Sequence, residues 1–92
     1  MNKYTIQKTT AYKKGFKKLI KQGKDIQKLE VVINTLAKGE TLAPEYKDHP
    51  LKGNYKGYRE CHIEPDWLLV YKIVKDKLVL LLAYTDTHSE LF

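Results

Sequence analysis

The sequence has little cysteine and no long apolar run. Cys61 is the single cysteine among 92 residues, so neither an intramolecular disulfide nor a cysteine-based zinc site can form, and a reducing compartment suits the chain. No stretch approaches the ~18 apolar residues of a membrane-spanning helix. Residues 1–11 also lack the apolar segment of a signal peptide. We therefore expect a soluble, cytoplasmic protein with no membrane partner.

Acidic residues are in the minority, and repeats, low-complexity segments and linkers are absent. A chain of 92 residues fits a single domain, which we assign to residues 1–92. Lysine and arginine number 17 against 11 aspartates and glutamates, which gives a net charge of +6. Such a surface attracts polyanions, with nucleic acid first among them. Lysines on solvated helix faces would give the same excess of positive charge.

The first half of the chain predicts one strand followed by two helices. Residues 3–8 alternate in polarity and are rich in β-forming side chains. A helix is predicted next, from an N-cap at Thr9 or the following threonine to about Gln22, because its apolar residues recur at the helical period. A second helix of the same kind is predicted from about Asp25 to Gly39. Together the two helices would make a hairpin.

The second half predicts an antiparallel meander. Residues 40–54 contain two prolines and are predicted to be irregular. Strands are predicted over residues 57–63, 67–74 and 77–84, and the tail 85–92 is expected to leave the sheet. The last strand is too continuously apolar for a solvated face, so we expect it to be central and covered by the helices. The fold class is therefore α+β: an N-terminal strand, a two-helix hairpin, and a meander packed on the helices.

The candidate site lies around residues 59–67, where His62, Glu64 and Asp66 follow one another at two-residue spacing. Positions two apart share one face of a strand. If the strand continues through Pro65, an imidazole and two carboxylates converge on one patch, as proton transfer requires. The other two histidines flank this segment. The candidate catalytic residues are His49, His62, Asp66 and His88.

These residue types suit the cleavage of RNA without a metal ion. One group removes the 2′-hydroxyl proton, another protonates the leaving 5′-oxygen, and cations stabilise the charge on the phosphate. Histidine suits either proton role near neutral pH. Nearby cations and aromatic rings provide a candidate substrate-binding set. This set is Lys47, Lys52, Lys56, Arg59, Trp67 and Phe92.

Each of these assignments has a competing interpretation. A loop histidine is usually polar surface, and three histidines with a carboxylate could instead bind zinc, although no two lie at the short helical spacing of most such sites. Trp67 begins an apolar strand and fits the core as well as it fits a base-stacking platform. Cys61 precedes His62, but adjacent strand residues point to opposite faces, so we expect a buried and inert thiol.

Three segments resemble the YafQ-type members of the RelE toxin superfamily. They are Tyr46-Lys-Asp-His-Pro-Leu-Lys-Gly, Gly57-Tyr-Arg-Glu-Cys-His-Ile-Glu-Pro-Asp-Trp-Leu-Leu-Val-Tyr-Lys and Thr87-His-Ser-Glu-Leu-Phe92. The resemblance extends over nearly the whole chain. It implies the RelE-like microbial ribonuclease fold and a toxin of a type II toxin–antitoxin system. Such a toxin is an endoribonuclease that cleaves mRNA in the ribosomal A site and inhibits translation, with no metal or cofactor.

The resemblance also implies partners and residue roles. The partners are a cognate antitoxin, the ribosome with its mRNA, and operator DNA only through the antitoxin complex. The catalytic residues of the family match His49, His62, His88 and Asp66 here, and its substrate-binding aromatic residues match Trp67 and Phe92. Our hypothesis is that Asp66 or His62 activates the 2′-hydroxyl and that His88 serves the leaving group.

One departure from the family pattern bears on activity. YafQ-like proteins often carry an arginine a few residues before the last histidine, where this chain has Tyr84, and Asp86 adds an acid nearby. Either another cation from the substrate-binding set replaces that arginine, or the protein is a weaker nuclease. Two alternatives therefore stay open: a catalytically weak ribosome- or RNA-binding module, and an antitoxin-bound operon co-repressor.

Overall fold

Two helices pack on one face of a five-stranded sheet in the computed structural model, which describes residues 2–87. The elements are β1 (Thr5–Lys8), α1 (Thr10–Lys21), α2 (Ile26–Ala37), β2 (His49–Pro50), β3 (Arg59–Glu64), β4 (Trp67–Val74) and β5 (Val79–Thr87). The strand order is β1-β5-β4-β3-β2, with β1 parallel to β5 and the other neighbours antiparallel. This arrangement confirms the predicted α+β fold. His88 and Phe92 lie outside the described residues.

Both helices begin and end close to where the sequence predicts. The Thr9 hydroxyl caps α1 by accepting a hydrogen bond from the backbone N–H of Tyr12 at 3.0 Å. The Asp25 carboxylate caps the first turn of α2 in the same way. Gly23 and Gly39 follow the helices with φ of +74° and +80°, a conformation that glycine adopts without steric cost. Within residues 2–87, no helix is long and apolar enough to cross a membrane.

The core lies between the helices and one face of the sheet. Trp67, Leu69 and Tyr71 alternate along β4 and point into it, where they join buried side chains of both helices such as Leu19 and Leu29. Burying an aliphatic side chain of this size stabilises the fold by roughly 1.5–3 kcal/mol. These three side chains therefore fix which face of the sheet the helices cover.

β5 lies inside the sheet and packs against the helices, as predicted, but the predictions that it has no solvated face and that it ends at residue 84 were wrong. Leu80 and Leu82 are buried while their neighbours are partly exposed, so the strand alternates rather than being covered on both faces. It also continues to Thr87 instead of leaving the sheet after residue 84. The cause is Thr85, whose buried hydroxyl donates to the Leu68 carbonyl oxygen of β4 at 3.1 Å and keeps the chain in the ladder.

Helix α1 lies beside the last part of β5. β1 pairs with β5 only as far as Leu82, and beyond that point α1 takes its place. The Thr9 hydroxyl donates to the Ala83 carbonyl oxygen at 2.7 Å. Gly15 approaches the strand so closely that a Cβ atom on it would lie 1.9 Å from the Thr85 carbonyl oxygen. A larger residue at position 15 would therefore force the helix and the strand apart.

Candidate active site

The face of the sheet opposite the helices brings two of the predicted histidines together. Along β3, Cys61 and Ile63 join the core, so Glu60 and His62 point to the other face. The short strand β2 pairs His49 directly with Glu60. The His49 and His62 rings lie 6.4 Å apart between centroids. Residues 40–54, predicted to be irregular, therefore contain a two-residue strand that delivers His49 to the site.

Hydrogen bonds fix the orientation of the His49 ring. Its Nδ1 lies 2.7 Å from the carbonyl oxygen of Lys47, and because a carbonyl can only accept, Nδ1 carries the hydrogen and donates it. The other nitrogen, Nε2, lies 3.4 Å from Oε1 of Glu60. Protonation of His49 would turn this contact into an ion pair. Lys47 itself has a positive φ of 49°, a strained turn conformation that directs its carbonyl toward the ring.

Glu60 is a site residue that the sequence reasoning missed. Its side chain is buried, with 6% of the residue exposed, and its Oε2 has no hydrogen-bond partner among residues 2–87. A buried carboxylate held against a single imidazole is costly to maintain. The signal that could have identified it is its two-residue spacing from His62.

His62 donates from Nδ1 to the carbonyl oxygen of Pro65 at 3.3 Å, because that carbonyl can only accept. This bond leaves Nε2 available to act on a substrate. A cleft of about 260 Å³ opens beside the ring and is lined in part by Tyr46, Lys47 and Glu64. The structure thus places His62 at an accessible edge, with one nitrogen held and the other free to exchange a proton.

The prediction that His62, Glu64 and Asp66 share one face was wrong. A register shift between His62 and Glu64 pairs Glu64 with Trp67, and the carboxylate turns toward α2. There it forms ion pairs with Lys28 at 2.8 Å and with another lysine near the start of the helix. The hydrogen bond from Lys28 lowers the pKa of Glu64. The break in the strand is the β-bulge that precedes the turn at residues 65–66.

Asp66 lies in that exposed turn, between β3 and β4. Within the described residues it makes no hydrogen bond to either His49 or His62. Its side chain is exposed and accessible to a substrate, but the structure does not bring it into contact with the two histidines. His88 and Phe92, the remaining predicted residues of the chain end, lie beyond residue 87, where the description of the structure stops.

Arg59 is placed on the opposite side of β3 from the histidines. Its Nε lies 3.3 Å from Asp48, and the hydroxyl of Tyr71 donates to the same carboxylate at 2.6 Å. Burial, and then the bond to Asp48, raises the pKa of Tyr71. These contacts fasten Asp48 to the sheet, and Asp48 is the chain neighbour of His49. Arg59 therefore holds the loop that presents His49 rather than pointing into the histidine face.

The other predicted substrate-binding residues fall into two groups. Trp67 is fully buried, and its indole N–H donates to the Thr85 hydroxyl at 3.1 Å, so its ring is part of the core beneath the site. Lys47, Lys52 and Lys56 are exposed. The last two lie at the ends of a short 3-10 turn that precedes β3, on the loop that carries His49.

The single cysteine is buried, as predicted, and burial raises the pKa of the Cys61 thiol to about 12. Its side chain joins the core on the other face of β3 from His62. In the part of the chain from residue 2 to residue 87, no group of three or more His, Cys, Asp or Glu side chains is arranged to hold a metal ion.

The end of β5 places two further residues on the face of the sheet opposite the helices. Tyr84 pairs with Val70 and Asp86 pairs with Leu68 across the β4–β5 ladder, while Thr85 between them faces the core. Asp86 is buried and lies 3.6 Å from the Lys18 ammonium of α1. The sheet face opposite the helices therefore extends from His49 on β2 to Tyr84 and Asp86 on β5, beside the flank of α1.

Comparison with known proteins shows to which family this chain belongs. A family model described as the bacterial toxin of type II toxin–antitoxin systems, YafQ, matches residues 4–92. The chain belongs to the YafQ family. Among curated YafQ proteins, the "mRNA interferase toxin YafQ" of Escherichia coli K12 is 44% identical over 88 residues, which cover 95% of this chain and 94% of the relative. These findings confirm the resemblance drawn from the sequence.

Solved structures confirm the YafQ fold. The Escherichia coli DinJ-YafQ toxin-antitoxin complex matches with a TM-score of 0.89 and 40% identity, covering 98% of both chains. A metal-bound toxin from Helicobacter pylori matches with a TM-score of 0.90 and 48% identity, covering 97% of this chain and 99% of that one. The likeness to these solved toxins thus extends over nearly the whole chain, including the helical hairpin and the sheet.

Proposed function

We propose that this protein is an mRNA interferase toxin, an endoribonuclease that cleaves mRNA in the ribosomal A site by metal-independent general acid–base catalysis. The observation that carries the proposal is the pairing of His49 with His62 on the sheet face opposite the helices, beside a cleft that the exposed Lys47 helps to line. A relative of this chain from Escherichia coli is named an mRNA interferase. Two imidazoles at this separation can serve one phosphodiester.

The proposed reaction is an internal transfer at phosphorus. A base removes the 2′-hydroxyl proton, the 2′-oxygen attacks the adjacent phosphorus, and the bond to the 5′-oxygen breaks as an acid protonates that oxygen. His62, whose Nε2 is not engaged, or Asp66 in the neighbouring turn acts as base. His88 acts as acid. His49, when protonated and paired with Glu60, stabilises the charge that develops on the phosphate.

The remaining predicted residues support the substrate in two ways. Lys47, Lys52 and Lys56 are exposed on the loop beside the histidines and contact phosphates, and Phe92 holds the substrate. Arg59 and Trp67 act as positioning residues, because Arg59 holds Asp48 and Trp67 is bonded to Thr85 beneath the face. Neither side chain is oriented toward the histidines.

The same proposal names the partners and the compartment. A cognate antitoxin binds the toxin, as DinJ accompanies YafQ in the Escherichia coli complex, and masks the histidine face. Operator DNA is reached only through that complex. The ribosome supplies the mRNA and orients it for cleavage, and the protein acts in the cytoplasm.

The proposal is tested by primer extension on a reporter mRNA in a purified translation system, with and without ribosomes. We expect ribosome-dependent cuts by the wild type and a loss of at least about a hundredfold in His62→Ala, the contribution of a typical acid–base group. Glu40→Gln, at an exposed acid that follows α2, is the control. A chelator that spares magnesium, such as 1,10-phenanthroline, should leave the cuts unchanged. A wild type that sediments with ribosomes yet makes no cuts would be a binding module instead.

A further inference from the structure

A cleft of about 330 Å³ lies between α1 and the end of β5, apart from the histidine pair. It exists because β1 stops pairing with β5 at Leu82, which leaves α1 to cover the remainder of that strand. The close approach at Gly15 forms its floor. Five polar or charged side chains line it. They are Thr10, Lys14, Lys18, Tyr84 and Asp86.

The charges of the cleft favour an anion. Lys14 and Lys18 are four residues apart on α1, so their side chains lie on the same helix face and repel each other. Asp86 is the one acidic side chain among the described residues that line the cleft, and it is 3.6 Å from the Lys18 ammonium. One of its oxygens already accepts from the backbone N–H of Thr87. The exposed Lys14 ammonium therefore stands beside the Lys18–Asp86 pair as a contact for a phosphate.

The aromatic ring at the mouth of the cleft adds a surface for a base. Tyr84 is 38% exposed, which is unusual for an aromatic residue on an inner strand. It lies on the sheet face opposite the helices, in the same row as Val70, Glu60 and His49. Neighbouring strands are about 4.8 Å apart, so Tyr84 is roughly 10 Å from Glu60. A short stretch of single-stranded RNA can cover that distance.

We infer that this cleft binds an unpaired nucleotide of the mRNA next to the cleavage site, with Tyr84 stacked on its base and Lys14 and Lys18 in contact with its phosphates. Asp86 holds the Lys18 ammonium in position. The inference rests on the proposed nuclease function and specifies how the substrate lies across the face of the sheet opposite the helices. It also gives α1, which carries Lys14 and Lys18, a role in binding the mRNA. Base stacking of this kind tolerates any base, so the cleft adds affinity rather than sequence preference.

The test measures the affinity of the purified protein for a short, fluorescein-labelled, fully 2′-O-methylated single-stranded RNA, which cannot be cleaved, by fluorescence anisotropy. We expect Tyr84→Leu to weaken binding by roughly fivefold to a hundredfold, as loss of one stacked base does. Tyr84→Phe should retain the affinity because it keeps the ring. A duplex of the same RNA should bind equally well to the wild type and Tyr84→Leu, since its bases are not free to stack.

The lysines are tested with a matched pair. Lys14→Gln should weaken binding by up to about fivefold and reduce the salt dependence, the slope of log K against log salt, by about 0.7. Lys13→Gln carries the same charge change on the same helix but lies outside the cleft, in a neighbouring groove. Its affinity should stay within about twofold of the wild type.

Equal losses of RNA affinity in Lys14→Gln and Lys13→Gln, or an unchanged affinity in Tyr84→Leu, would refute the proposed nucleotide site. RNA would then bind to a diffuse cationic surface. Cleavage on ribosomes is scored separately in the wild type and His62→Ala. If the wild type cuts while the cleft variants bind normally, the cleft is wrong and the nuclease stands. If the cleft variants bind RNA more weakly while the wild type makes no cuts, the proposed nuclease function is wrong and the RNA-binding site stands.

Discussion

At the scale of single residues, the carboxylate of Glu60 combines a stability cost with a position beside the candidate catalytic residue His49. It is buried, one oxygen has no partner within residues 2–87, and the other faces His49 at 3.4 Å. Residues that are expensive to bury persist where function needs them. In this protein the unfavourable burial places the Glu60 carboxylate where it can stabilise a protonated His49.

We therefore expect Glu60→Gln to lose activity without losing stability. The amide keeps the shape and removes an incompletely compensated buried charge, so the free energy of unfolding in urea should be unchanged or higher. Cleavage of mRNA on ribosomes should fall between about tenfold and the roughly hundredfold that a full acid–base group contributes. Glu40→Gln should change neither. A variant that unfolds more easily and still cleaves normally would contradict this role.

Residue-level prediction from sequence succeeded where alternation continued and failed where it broke. His62 was found because its chemistry is visible, and the burial of Cys61 followed from its position one residue earlier on the strand. Glu64 was misplaced because the bulge after His62 shifts the register. No local signal beyond Pro65 marks that bulge. The fixed pairing of Arg59 with Asp48 depends on residues brought together only by folding.

At the scale of elements, the approach of α1 to β5 depends on one missing side chain. Glycine in a helix interior usually costs about 1 kcal/mol relative to alanine, so Gly15→Ala would ordinarily stabilise. Here the added Cβ would meet the Thr85 carbonyl oxygen at 1.9 Å. We expect a net loss of about 1–3 kcal/mol and a fall in Tm of roughly 4–8 °C per kcal/mol.

Thermal unfolding followed by circular dichroism measures this effect. Lys17→Ala, on the exposed side of the same helix, is the control and should shift Tm by little, since alanine is a good helix former. A rise in Tm for Gly15→Ala would mean that the helix can move off the strand at no cost, and the tight contact would then have no structural importance.

The bulged end of β3 is tied to the start of α2 by charge. The Glu64 carboxylate sits among Lys24 and Lys28 near the positive end of the helix dipole,. The bond from Lys28 holds the pKa of Glu64 below its usual value of 4.5. A carboxylate with a lowered folded-state pKa adds stability above that usual value and loses it as the pH falls through the lowered one.

The expected consequence is a pH-dependent difference between the wild type and Glu64→Gln. The wild type should be more stable in urea at about pH 7, by a small amount because both partners are partly exposed. The difference should shrink as the pH falls below the usual value and vanish once Glu64 is protonated. Glu45→Gln, an exposed acid on the loop before β2, should show no such convergence. A difference that persists at low pH would rule out the ion pair as its source.

Elements set by local chemistry were predicted well, and elements set by distant partners were not. The Thr9 cap and the glycines after each helix are local, and the boundaries of α1 and α2 followed from them. The end of β5 depends on the Thr85 hydroxyl and its acceptor on β4, a contact that spans 17 positions of sequence. The two-residue strand β2 exists only because β3 pairs with it.

At the scale of the whole molecule, the net charge of +6 makes association with RNA sensitive to salt. Lysines are exposed on α1, on α2 and on the loop before β3. Each phosphate contact releases counterions, so affinity falls steeply as salt rises. We expect binding to ribosomes, followed by sedimentation, to weaken at least about tenfold between roughly 50 and 200 mM KCl. Binding that is indifferent to salt would show that the excess charge serves solubility instead.

The parallel pairing of β1 with β5 also sets the order in which this protein can fold as it is made. Thr9 and Ala83, whose hydrogen bond helps to join α1 to β5, are 74 positions apart. Closing so long a loop is slow and gains nothing until both ends exist. A nascent chain that has not yet reached β5 therefore has no strand on which to seat α1. A ribosome that makes this toxin thus completes nearly the whole sequence before the folded form exists.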